Sequence, residues 1–445
     1  MTNYTYNALG WMKTKTDPKS GLTTYNYDPI GNLLSVQDPN SHTSTMQYDG
    51  ERDRVSYRDA LGETAQYQYD LMRRRVKTIN ALGNPTQFQY DADSRLQSIT
   101  DPLGGTTKNV YDFVGNLTQV TDPNSNPTSF VYDADNRLSK TINAKNYVWE
   151  QDYDAVGNMV RKVDPDGNPT KFTYDQVNRL NQLTDAEGVN ASIVFDPAGN
   201  ISTYTDKNGN ITNYLYYSNN WRESATDARG GITGYKYDGV GNPTTITDAK
   251  LNKTIIGYDV LNRPTTEINA DTQLTQFQYD PVGNLMYLID ANTHSTAYQY
   301  DAVNRLLSET DPVGNVVKLG YDAAGDPINR TDSKGTAVLK YDADRRPIEK
   351  DLADGKKINY TYDAGGRTLQ VADWNGNYQF SYDAINRVTQ KTLPSGKTLK
   401  HTYDAANNET ARTDYFWWFL FLSIRHLEPA CASHRSPGWH YGHCL

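Results

Sequence analysis

Residues 130–138, Phe130-Val131-Tyr132-Asp133-Ala134-Asp135-Asn136-Arg137-Leu138, contain a pattern that recurs through almost the whole chain. Their tyrosine, Tyr132, has an equivalent every 21 residues from Tyr6 to Tyr321, with Phe195 in its place once. Beyond Tyr321 the steps are 20, 21, 20 and 21 residues, and they end at Tyr403. A fixed period of this length indicates a repeat array. We therefore assign residues 1–412 to one array of about twenty units.

The composition of the 445-residue chain agrees with an array rather than with two or three globular domains. Only 37% of the residues are apolar and the mean hydropathy is −0.76, values that by themselves favour disorder. However, 34 tyrosines at regular spacing indicate a folded chain. The net charge of −9 and the pI of about 5.3 disfavour nucleic-acid binding, which needs a basic surface.

The ends of the array predict a fragment. Met1 lies almost directly on a strand pattern, Asn3-Tyr4-Thr5-Tyr6, and nothing there resembles a signal peptide. Solenoid-like arrays normally have atypical capping units, and none is visible at either end. We therefore expect this reading frame to be a piece of a longer protein. The array contains no cysteine, so disulfides do not stabilise it.

The residues before each anchor tyrosine alternate as in a half-buried strand. Phe88 and Tyr90 fall on one face, and Gln87 and Gln89 fall on the other. The same alternation recurs in Phe172/Tyr174, Phe277/Tyr279, Tyr298/Tyr300, Phe380/Tyr382 and Tyr25/Tyr27. We expect these aromatic rings to stack along the sheet from unit to unit.

Two turns and a second strand complete each unit. The first turn, as in residues 112–116, opens with an Asp whose carboxylate can bond the backbone two residues on, and Gly or Asn tolerates the positive φ at its exit. The second strand, as in residues 117–121, carries Leu117 and Val120 three apart, which indicates either a bulge or burial on both faces. The second turn, as in Asp101-Pro102-Leu103-Gly104, has type I preferences.

Two strands and two tight turns per unit predict an all-β, continuous antiparallel meander. A slower rhythm is superimposed, because the first turn alternates between a Gly-Asn form (Gly115-Asn116) and an Asn-Arg form (Asn136-Arg137). The building block is then a pair of units, about 42 residues long. We expect the Arg of the second form to reach a neighbouring Asp and to contribute little at an exposed turn.

The Tyr-Asp-x-x-Gly-Asn-Leu pattern of residues 111–117 and the Asp-Pro-x-Gly-Asn pattern of residues 164–168 resemble the YD repeats of the Rhs family. Similar repeats occur in bacterial insecticidal toxin complexes and in animal teneurins, and the resemblance covers residues 1 to about 412. It implies β-hairpins wound into a curved spiral sheet or partial hollow shell. In bacterial members of the family, the shell encloses a toxic C-terminal domain that is released by self-cleavage.

The sequence departs from the family's self-cleaving core, in which Asp-Pro-x-Gly is followed by Leu. Here Asp101-Pro102-Leu103-Gly104 leads to Gly105, and residues 280–283 lead to Asn284. The plug, the cleavage centre and the toxin are therefore expected to be absent. About forty strands form a ribbon of roughly 4,000 Å², less than the roughly 6,000–8,000 Å² needed to enclose a small toxin domain.

Other chemistry has weaker support. The repeated carboxylates are explained as turn formers, so no catalytic residue is predicted. Residues 122–126 and 206–210 offer oxygen ligands for calcium at alternate positions, but the distal Glu of an EF-hand is missing. Exposed tyrosines are alternatively a carbohydrate-binding surface. No cofactor or metal site is predicted.

The composition changes abruptly after Arg412. Residues 413–445 contain both cysteines and an apolar run, residues 415–424, too short to span a bilayer. Cys431, His434, His440 and Cys444 have the residue types of a zinc site, but the spacing leaves little room for a finger. We expect a divergent, poorly ordered tail or an out-of-frame end.

These observations predict a non-enzymatic scaffold, a fragment of an Rhs-type shell that encapsulates or presents a C-terminal toxin or effector polypeptide. Its partners would be that effector or further shell repeats, with no nucleic acid and no membrane span. The alternative is a cell-surface adhesion module that binds carbohydrate or protein through its aromatic-rich β-surface. The family context implies a secreted or cell-surface location.

Overall fold

Each strand pairs with the strand before it and the strand after it in the chain, except that the first and the last described strands have one partner each. The computed structural model describes residues 1–404 and 407–413, and over these residues it contains strands and turns without a helix. The pairing is antiparallel throughout and gives one open sheet of 40 strands. The all-β meander predicted from the repeat is therefore confirmed. The predicted tail, apart from Thr413, lies outside the described residues.

The first half of the sheet consists of β1 Asn3–Tyr6, β2 Met12–Thr16, β3 Leu22–Tyr27, β4 Leu33–Gln37, β5 Thr43–Tyr48, β6 Arg54–Arg58, β7 Thr64–Tyr69, β8 Arg75–Ile79, β9 Pro85–Tyr90, β10 Leu96–Thr100, β11 Thr106–Tyr111, β12 Leu117–Thr121, β13 Pro127–Tyr132, β14 Leu138–Ile142, β15 Val148–Tyr153, β16 Met159–Val163, β17 Pro169–Tyr174, β18 Leu180–Thr184, β19 Asn190–Phe195 and β20 Ile201–Thr205.

The second half consists of β21 Ile211–Tyr216, β22 Arg222–Thr226, β23 Ile232–Tyr237, β24 Pro243–Thr247, β25 Lys253–Tyr258, β26 Pro264–Ile268, β27 Leu274–Tyr279, β28 Leu285–Ile289, β29 Ser295–Tyr300, β30 Leu306–Thr310, β31 Val316–Tyr321, β32 Pro327–Asp332, β33 Gly335–Tyr341, β34 Pro347–Asp351, β35 Lys357–Tyr362, β36 Thr368–Asp373, β37 Gly376–Tyr382, β38 Val388–Thr392, β39 Thr398–Tyr403 and β40 Glu409–Thr413.

A β-bulge at the start of the second strand explains the three-residue spacing of its apolar residues. In β12, Leu117 pairs with Tyr111 and Gln119 pairs with Val110, so Thr118 is the extra residue. Val120 then pairs with Asn109, which is on the same face as Tyr111. The bulge therefore brings both apolar residues of β12 to the face that carries the anchor tyrosine. The bulge interpretation is confirmed, and we call this side the tyrosine face.

Both turns of a unit have the same backbone geometry. In the turn that begins at Asp112, the amide of Gly115 donates to the Asp112 carbonyl and the amide of Asp112 donates to the Asn116 carbonyl. The fourth residue has positive φ (100° at Gly115), as in a type I turn closed by a G1 bulge. The Asp112 carboxylate accepts from the amides two and four residues on, at 3.1 and 2.8 Å. The predicted role of Asp is confirmed.

The two 20-residue steps come from shortened second turns. β32 ends at Asp332 and β33 begins at Gly335, and these two residues pair directly across a two-residue turn. The same arrangement joins Asp373 to Gly376. Each unit thus loses one loop residue while the strands keep their register, so the repeat continues unchanged.

The sheet is a single layer with little enclosed core. Among the described residues, Met46 and Val163 are the buried hydrophobic side chains, at 8% and 7% exposure. The tyrosine face is half-buried, because the rings cover the neighbouring strands, whereas the opposite face exposes residues such as Val110 and Val194. Stability must therefore come mainly from contacts between adjacent units, as in other repeat arrays.

The ribbon curves until it meets itself. Asn40 contacts Asp280, Asn124 contacts Gly365, and Lys145 contacts Asp383, pairs separated by 240, 241 and 238 residues. Two strands take 21 residues, so one coil holds about 23 strands, with a circumference of about 110 Å and a mean radius of about 17 Å. The described chain makes about 1.7 coils. The expected curved spiral sheet is confirmed.

Candidate functional site at the seam between coils

The seam is where the lower edge of the first coil meets the upper edge of the second. We call the turns after the anchor tyrosines YD turns, and the turns after the second strands DP turns. In an antiparallel meander these two sets lie on opposite edges of the ribbon. In the part of the chain that the structure describes, the hydrogen bonds and ion pairs that join the coils connect a DP turn of the first coil to a YD turn of the second.

The anchor tyrosines tie each unit to the one before it. The hydroxyl of Tyr132 donates to the carbonyl of Leu117 at 2.9 Å, so the ring crosses the preceding strand and bonds the residue at its start. The same bond, from the hydroxyl to the carbonyl 14 or 15 residues earlier, is made by Tyr69, Tyr90, Tyr111, Tyr153, Tyr174, Tyr258, Tyr321, Tyr341, Tyr362, Tyr382 and Tyr403. These tyrosine hydroxyls therefore link neighbouring strands through hydrogen bonds across the sheet.

Many anchor rings are covered by an arginine of the preceding unit, and Tyr27 and Tyr237 by a tryptophan, rather than by one another, which corrects the expected stack of anchor rings. The guanidinium of Arg137 lies 5.0 Å from the centre of the Tyr153 ring, in the next unit. Equivalent contacts join Arg74 to Tyr90, Arg95 to Tyr111, Arg179 to Phe195, Arg263 to Tyr279, Arg305 to Tyr321, Arg346 to Tyr362, Arg367 to Tyr382 and Arg387 to Tyr403. Successive anchors are too far apart to touch, because two strands separate them.

The alternating turn forms make different bonds to the next unit. In the Asn-Arg form, Arg137 donates to its own turn's Asp133 carboxylate at 2.7 Å and to the Asp154 carbonyl at 3.0 Å. In the Gly-Asn form, Asn116 donates to the Asn136 side chain at 3.0 Å. The arginine thus pairs with the neighbouring aspartate, as we expected, and it also reaches a backbone carbonyl of the next unit. These two bonds distinguish the two turn forms.

Two lysines of the first coil pair with aspartates of the second. The Nζ of Lys19 lies 3.0 Å from Asp259, whose side chain is only 6% exposed, and Lys145 lies 3.3 Å from Asp383. Burial acts to raise the pKa of Asp259. Hydrogen bonds from the Arg263 amide, from Lys19 and from the Arg263 side chain outweigh it and lower the pKa to about 2. Asp259 is therefore ionised and balanced by two cations.

Two hydrogen bonds from amide groups and one close approach also join the coils along the seam. Asn40 donates to the Asp280 carboxylate at 3.0 Å, and the Gly365 amide donates to the side-chain oxygen of Asn124 at 3.2 Å. A Cβ at position 365 would lie 2.1 Å from the Asn124 amide nitrogen. The Asn124 side chain would therefore have to move to admit any other residue at position 365.

One acidic pair, Asp101 and Asp344, acts against the association of the two coils. Burial, followed by the charge of Asp101 in the other coil, raises the pKa of Asp344 above its ordinary value. The Oδ1 atom of Asp344 is buried and has no hydrogen-bond partner among the described residues. Beside it lies a cavity of about 170 Å³, lined in part by Thr78, Asn80 and Arg345. Asp344 is thus one of the buried polar groups of the seam that lack a partner.

The seam changes the exposure of residues that have the same role in every unit. The first aspartate of the YD turn has a side chain 6–14% exposed where the seam covers it, at Asp259, Asp301, Asp342, Asp363 and Asp383. It is 20–26% exposed on the open upper edge, at Asp70, Asp91, Asp133 and Asp175. The open edge also exposes the third residue of its turns, Ile30, Met72, Val114, Val156, Val177 and Val240, by 53–72%.

Two family models match the sequence. The RHS Repeat model matches residues 6–43, 27–64, 288–316, 300–337 and 382–414, and the Teneurin YD-shell model matches residues 56–192. These matches identify RHS repeats in the chain. The resemblance read from the YD and DP motifs is thereby confirmed. A search of curated proteins found no matching sequence.

Solved structures share the fold of this RHS-repeat chain. The crystal structures of TcdB2-TccC3-Cdc42 and of TcdB2-TccC3 are each 14% identical, with a TM-score of 0.53, and are matched over 90% and 93% of this chain. The Tc holotoxin pore of Photorhabdus luminescens is 14% identical, with a TM-score of 0.52 over 93% of this chain. The chain spans less than a third of the length of these neighbours, at 27–29%. The protein is thus a shell-like scaffold in architecture.

The carboxylate oxygens of the two calcium candidates already accept hydrogen bonds from within their own turns. In residues 122–126, Oδ1 of Asp122 accepts two backbone amides and Oδ2 accepts the Asn126 side chain at 3.1 Å. Asp206 and Asn210 make the same set of bonds. The described residues contain no cluster of three metal-ligating side chains, and no helix in them is long and apolar enough to cross a membrane. The zinc candidates of the tail lie outside the described residues.

Sequence reasoning missed every residue of the seam. Lys19, Asn40, Asn124 and Lys145 share the third position of a DP turn, where the side chain points away from the ribbon edge towards the next coil. That shared position was a visible signal. Its partners were not, because they lie about 240 residues away and the pitch of the spiral is needed to find them.

Proposed function

We propose that this RHS-repeat chain is a section of a non-enzymatic shell wall that encloses or presents an effector polypeptide in a secreted or cell-surface setting. The observation that carries the proposal is a one-layer sheet that coils against its own edge. Among residues 1–404 and 407–413 each strand contacts only its neighbours in the chain, so these residues place no second layer inside the coil. The fold shared with chains of the Tc holotoxin supports the link to toxins.

The radius of the coil sets the kind of cargo. A mean radius of about 17 Å, less about 5 Å for inward side chains, leaves a lumen of at most about 12 Å radius. A folded 100-residue domain has an outer radius of about 17 Å and is too large. An extended chain, or a single helix of about 5–6 Å radius, fits. The wall therefore suits an unfolded effector rather than a folded one.

A passenger experiment tests the proposal. Two passengers are appended to the C-terminus of the full chain, an unfolded Gly/Ser-rich segment and a folded 100-residue domain on a short linker, each with one protease site at its far end. We expect the unfolded passenger to be cleaved at least about ten times more slowly than the same peptide free in solution. The folded passenger should be cleaved at the free rate, because it cannot enter. Cleavage of both at the free rate would contradict enclosure.

The adhesion alternative is less favoured by the geometry. Sugar binding by aromatic side chains needs an open ring face, but the anchor rings are half-buried and many are covered by a guanidinium group. Exposed aromatic residues such as Tyr4, Tyr204 and Trp374 are spread over distant units. Glycan-array binding that is lost in a Tyr4→Ala, Tyr204→Ala and Trp374→Ala variant would revive the adhesion alternative.

A further inference from the structure

Five exposed aliphatic side chains lie close together on the face of the sheet opposite the tyrosine face. Their exposures are 45–61%, and they are Val194, Ile211, Leu215, Ile232 and Ile255, in strands β19 to β25. We call this set the aliphatic patch. We propose that the aliphatic patch binds an extended segment of the effector polypeptide, one that alternates aliphatic and polar residues and has acidic residues at its ends. This site deepens the proposed function, on which the identity of its partner rests.

The strand pairing brings these side chains to one face. Leu215 pairs with Ser224, and Ser224 pairs with Gly234 of β23. Paired residues share a face, as do residues two apart on one strand. The same pairing continues to Val194 on one side and to Ile255 on the other. All of these strands have a described neighbour on both sides, so the exposure of the patch does not come from the ends of the described chain.

The aliphatic patch is a local departure from the repeat. The residues one, three and five positions before an anchor form this face, and in most units they are polar or charged, as are Thr64, Gln66 and Gln68 in β7. In β21 the outer two of these positions carry Ile211 and Leu215 instead. The patch presents roughly 400–500 Å² of apolar surface, within the range of functional patches on soluble proteins. A rule that the array keeps elsewhere and breaks on neighbouring strands is expected at a functional site.

A glycine lies at the centre of the patch without a structural reason within the chain. The backbone of Gly234 is outside the left-handed region, and a Cβ there would come no closer than 4.0 Å to the Glu223 carbonyl oxygen. Glycine in the middle of a strand weakens the strand and often marks the close approach of a ligand or another backbone. Here it leaves a depression bordered by Ile232 on the same strand and by Ile255 two strands away.

The spacing of the patch fits an extended chain. Side chains two residues apart on β23 are about 6.8 Å apart, and so are the same-face side chains of any extended segment. A segment aligned with β23 therefore places successive same-face residues beside Ile232, over Gly234 and beside Lys236. Extended chains packed face to face in this way lie about 10 Å apart. The unfolded effector of the proposed function supplies segments of this kind.

Two lysines select the charge of the bound segment. Lys236 and Lys253 are exposed at opposite ends of β23 and β25, the first strands of successive units. Their ammonium groups have no hydrogen-bond or ion-pair partner in the part of the chain that the structure describes. Strands β19 to β25 contribute one acid, Glu223, against these lysines and Arg222. Acidic residues at the two ends of the segment are therefore attracted to the patch.

A peptide titration with the full-length chain tests the site. The probe is a fluorescein-labelled Glu-Thr-Leu-Thr-Val-Thr-Glu peptide, whose Glu, Leu and Val residues share one face when it is extended. Fluorescence anisotropy should give a Kd of about 10–100 μM. Gly234→Val fills the depression with a residue that favours strands, so it should weaken binding at least about tenfold without lowering the melting temperature. The matched control is Gln87→Val, at the same strand position of β9 outside the patch, and it should bind like the wild type.

Charge reversal tests the acidic ends of the segment. Lys236→Glu/Lys253→Glu should weaken binding at least about tenfold. The matched control Lys108→Glu/Lys171→Glu changes exposed lysines of the same face outside the patch and should bind like the wild type. A peptide with Ser in place of Leu and Val loses the apolar contact and should also bind at least about tenfold more weakly.

Four results would overturn the proposal. One is a wild-type chain that does not bind the peptide at about 200 μM, the result expected if residues 414–445 or a second copy cover the patch. The others are full binding by Gly234→Val, an equal loss in Gln87→Val, and equal binding of the Ser-substituted peptide. The passenger experiment measures enclosure separately. A protected passenger without peptide binding contradicts the patch alone, and peptide binding with an unprotected passenger contradicts enclosure alone.

Discussion

Replacing Asp259 with asparagine tests how much the seam contributes to stability. Asp259 Oδ1 accepts the amides of Leu261 and Arg263 at 2.8 and 3.1 Å, and Oδ2 meets Lys19 at 3.0 Å and the Arg263 side chain at 2.8 Å. Asparagine can keep the two amide bonds, as Asn80 does in its own turn. Its NH₂ group cannot accept from Lys19 or from the Arg263 side chain. The substitution therefore removes the ion pairs and preserves the turn.

The depressed pKa of Asp259 gives the size of the stability loss expected from the substitution. The pKa of Asp259 is about 2, against an ordinary 3.8, so its ionised form is stabilised by roughly 2 kcal/mol in the fold. Because the folded pKa is depressed, this stability is present above about pH 4 and is lost as the pH falls to about 2. Part of it comes from the turn itself. The Lys19 side chain is 44% exposed, so we assign about 1 kcal/mol to the seam contact.

The matched control is Asp175→Asn on the open edge. Asp175 accepts the amides of Val177 and Arg179 and pairs with the Arg179 side chain at 2.7 Å, in the same turn geometry but without a seam partner. Amide hydrogen exchange measures the local opening of each turn, which suits an array that need not unfold in one step. At pH 7, Asp259→Asn should accelerate exchange in its turn about fivefold more than Asp175→Asn does, the equivalent of about 1 kcal/mol.

Two results would refute this reasoning. Equal acceleration in both turns would mean that the contact between coils adds nothing to the stability of Asp259. Likewise, if Lys19→Met left exchange at the Leu261 and Arg263 amides unchanged, the depressed pKa of Asp259 would have to arise within its own turn. The difference between the two variants should also shrink as the pH approaches 2, because wild-type Asp259 is then protonated.

Three further substitutions have defined outcomes. Asp344→Asn should raise the melting temperature at pH 7, because burial and Asp101 raise the pKa of Asp344 and penalise its charged form; a raised pKa means that the penalty is absent below the ordinary pKa, so the gain should vanish at about pH 3. Tyr132→Phe should cost about 1 kcal/mol in chemical denaturation, since the Leu117 carbonyl loses its donor. Phe195→Tyr should instead raise the free energy of unfolding by about 0.5–1 kcal/mol, because its new hydroxyl would reach the equivalent carbonyl, that of Leu180. A destabilising effect would contradict the stabilising role of the anchor hydroxyl.

The hairpins could be derived from the sequence because their causes are local. The turn at Asp112 needs only its own carboxylate, a Gly with positive φ and the amides within four residues. The spacing of Leu117 and Val120 already indicated the bulge that the pairing shows. Alternation within a strand, turn chemistry and period are all properties of one 21-residue unit, so twenty copies repeat the same evidence. The all-β meander follows from these.

The contacts of the aromatic rings could be predicted only in part from the sequence. The tyrosine face was predicted, but the partner of each ring was not. An anchor ring lies two strands from its equivalent in the next unit, so the anchors do not reach one another, and a turn residue of the preceding unit covers the ring instead, as Arg137 does at Tyr153 and Trp11 does at Tyr27. Deciding between these partners requires the distance between strands as well as their order.

The seam belongs to the tertiary structure alone. Asp91 and Asp259 occupy the same position of the same motif, yet their side chains are 20% and 6% exposed, because only one of them lies beneath another coil. Which turns meet depends on the curvature of the ribbon, a small rotation added at every hairpin until about 23 strands close one coil. The residues of a single unit do not reveal this total curvature. Local chemistry therefore determined the repeat, and accumulated curvature determined which residues 240 positions apart would touch.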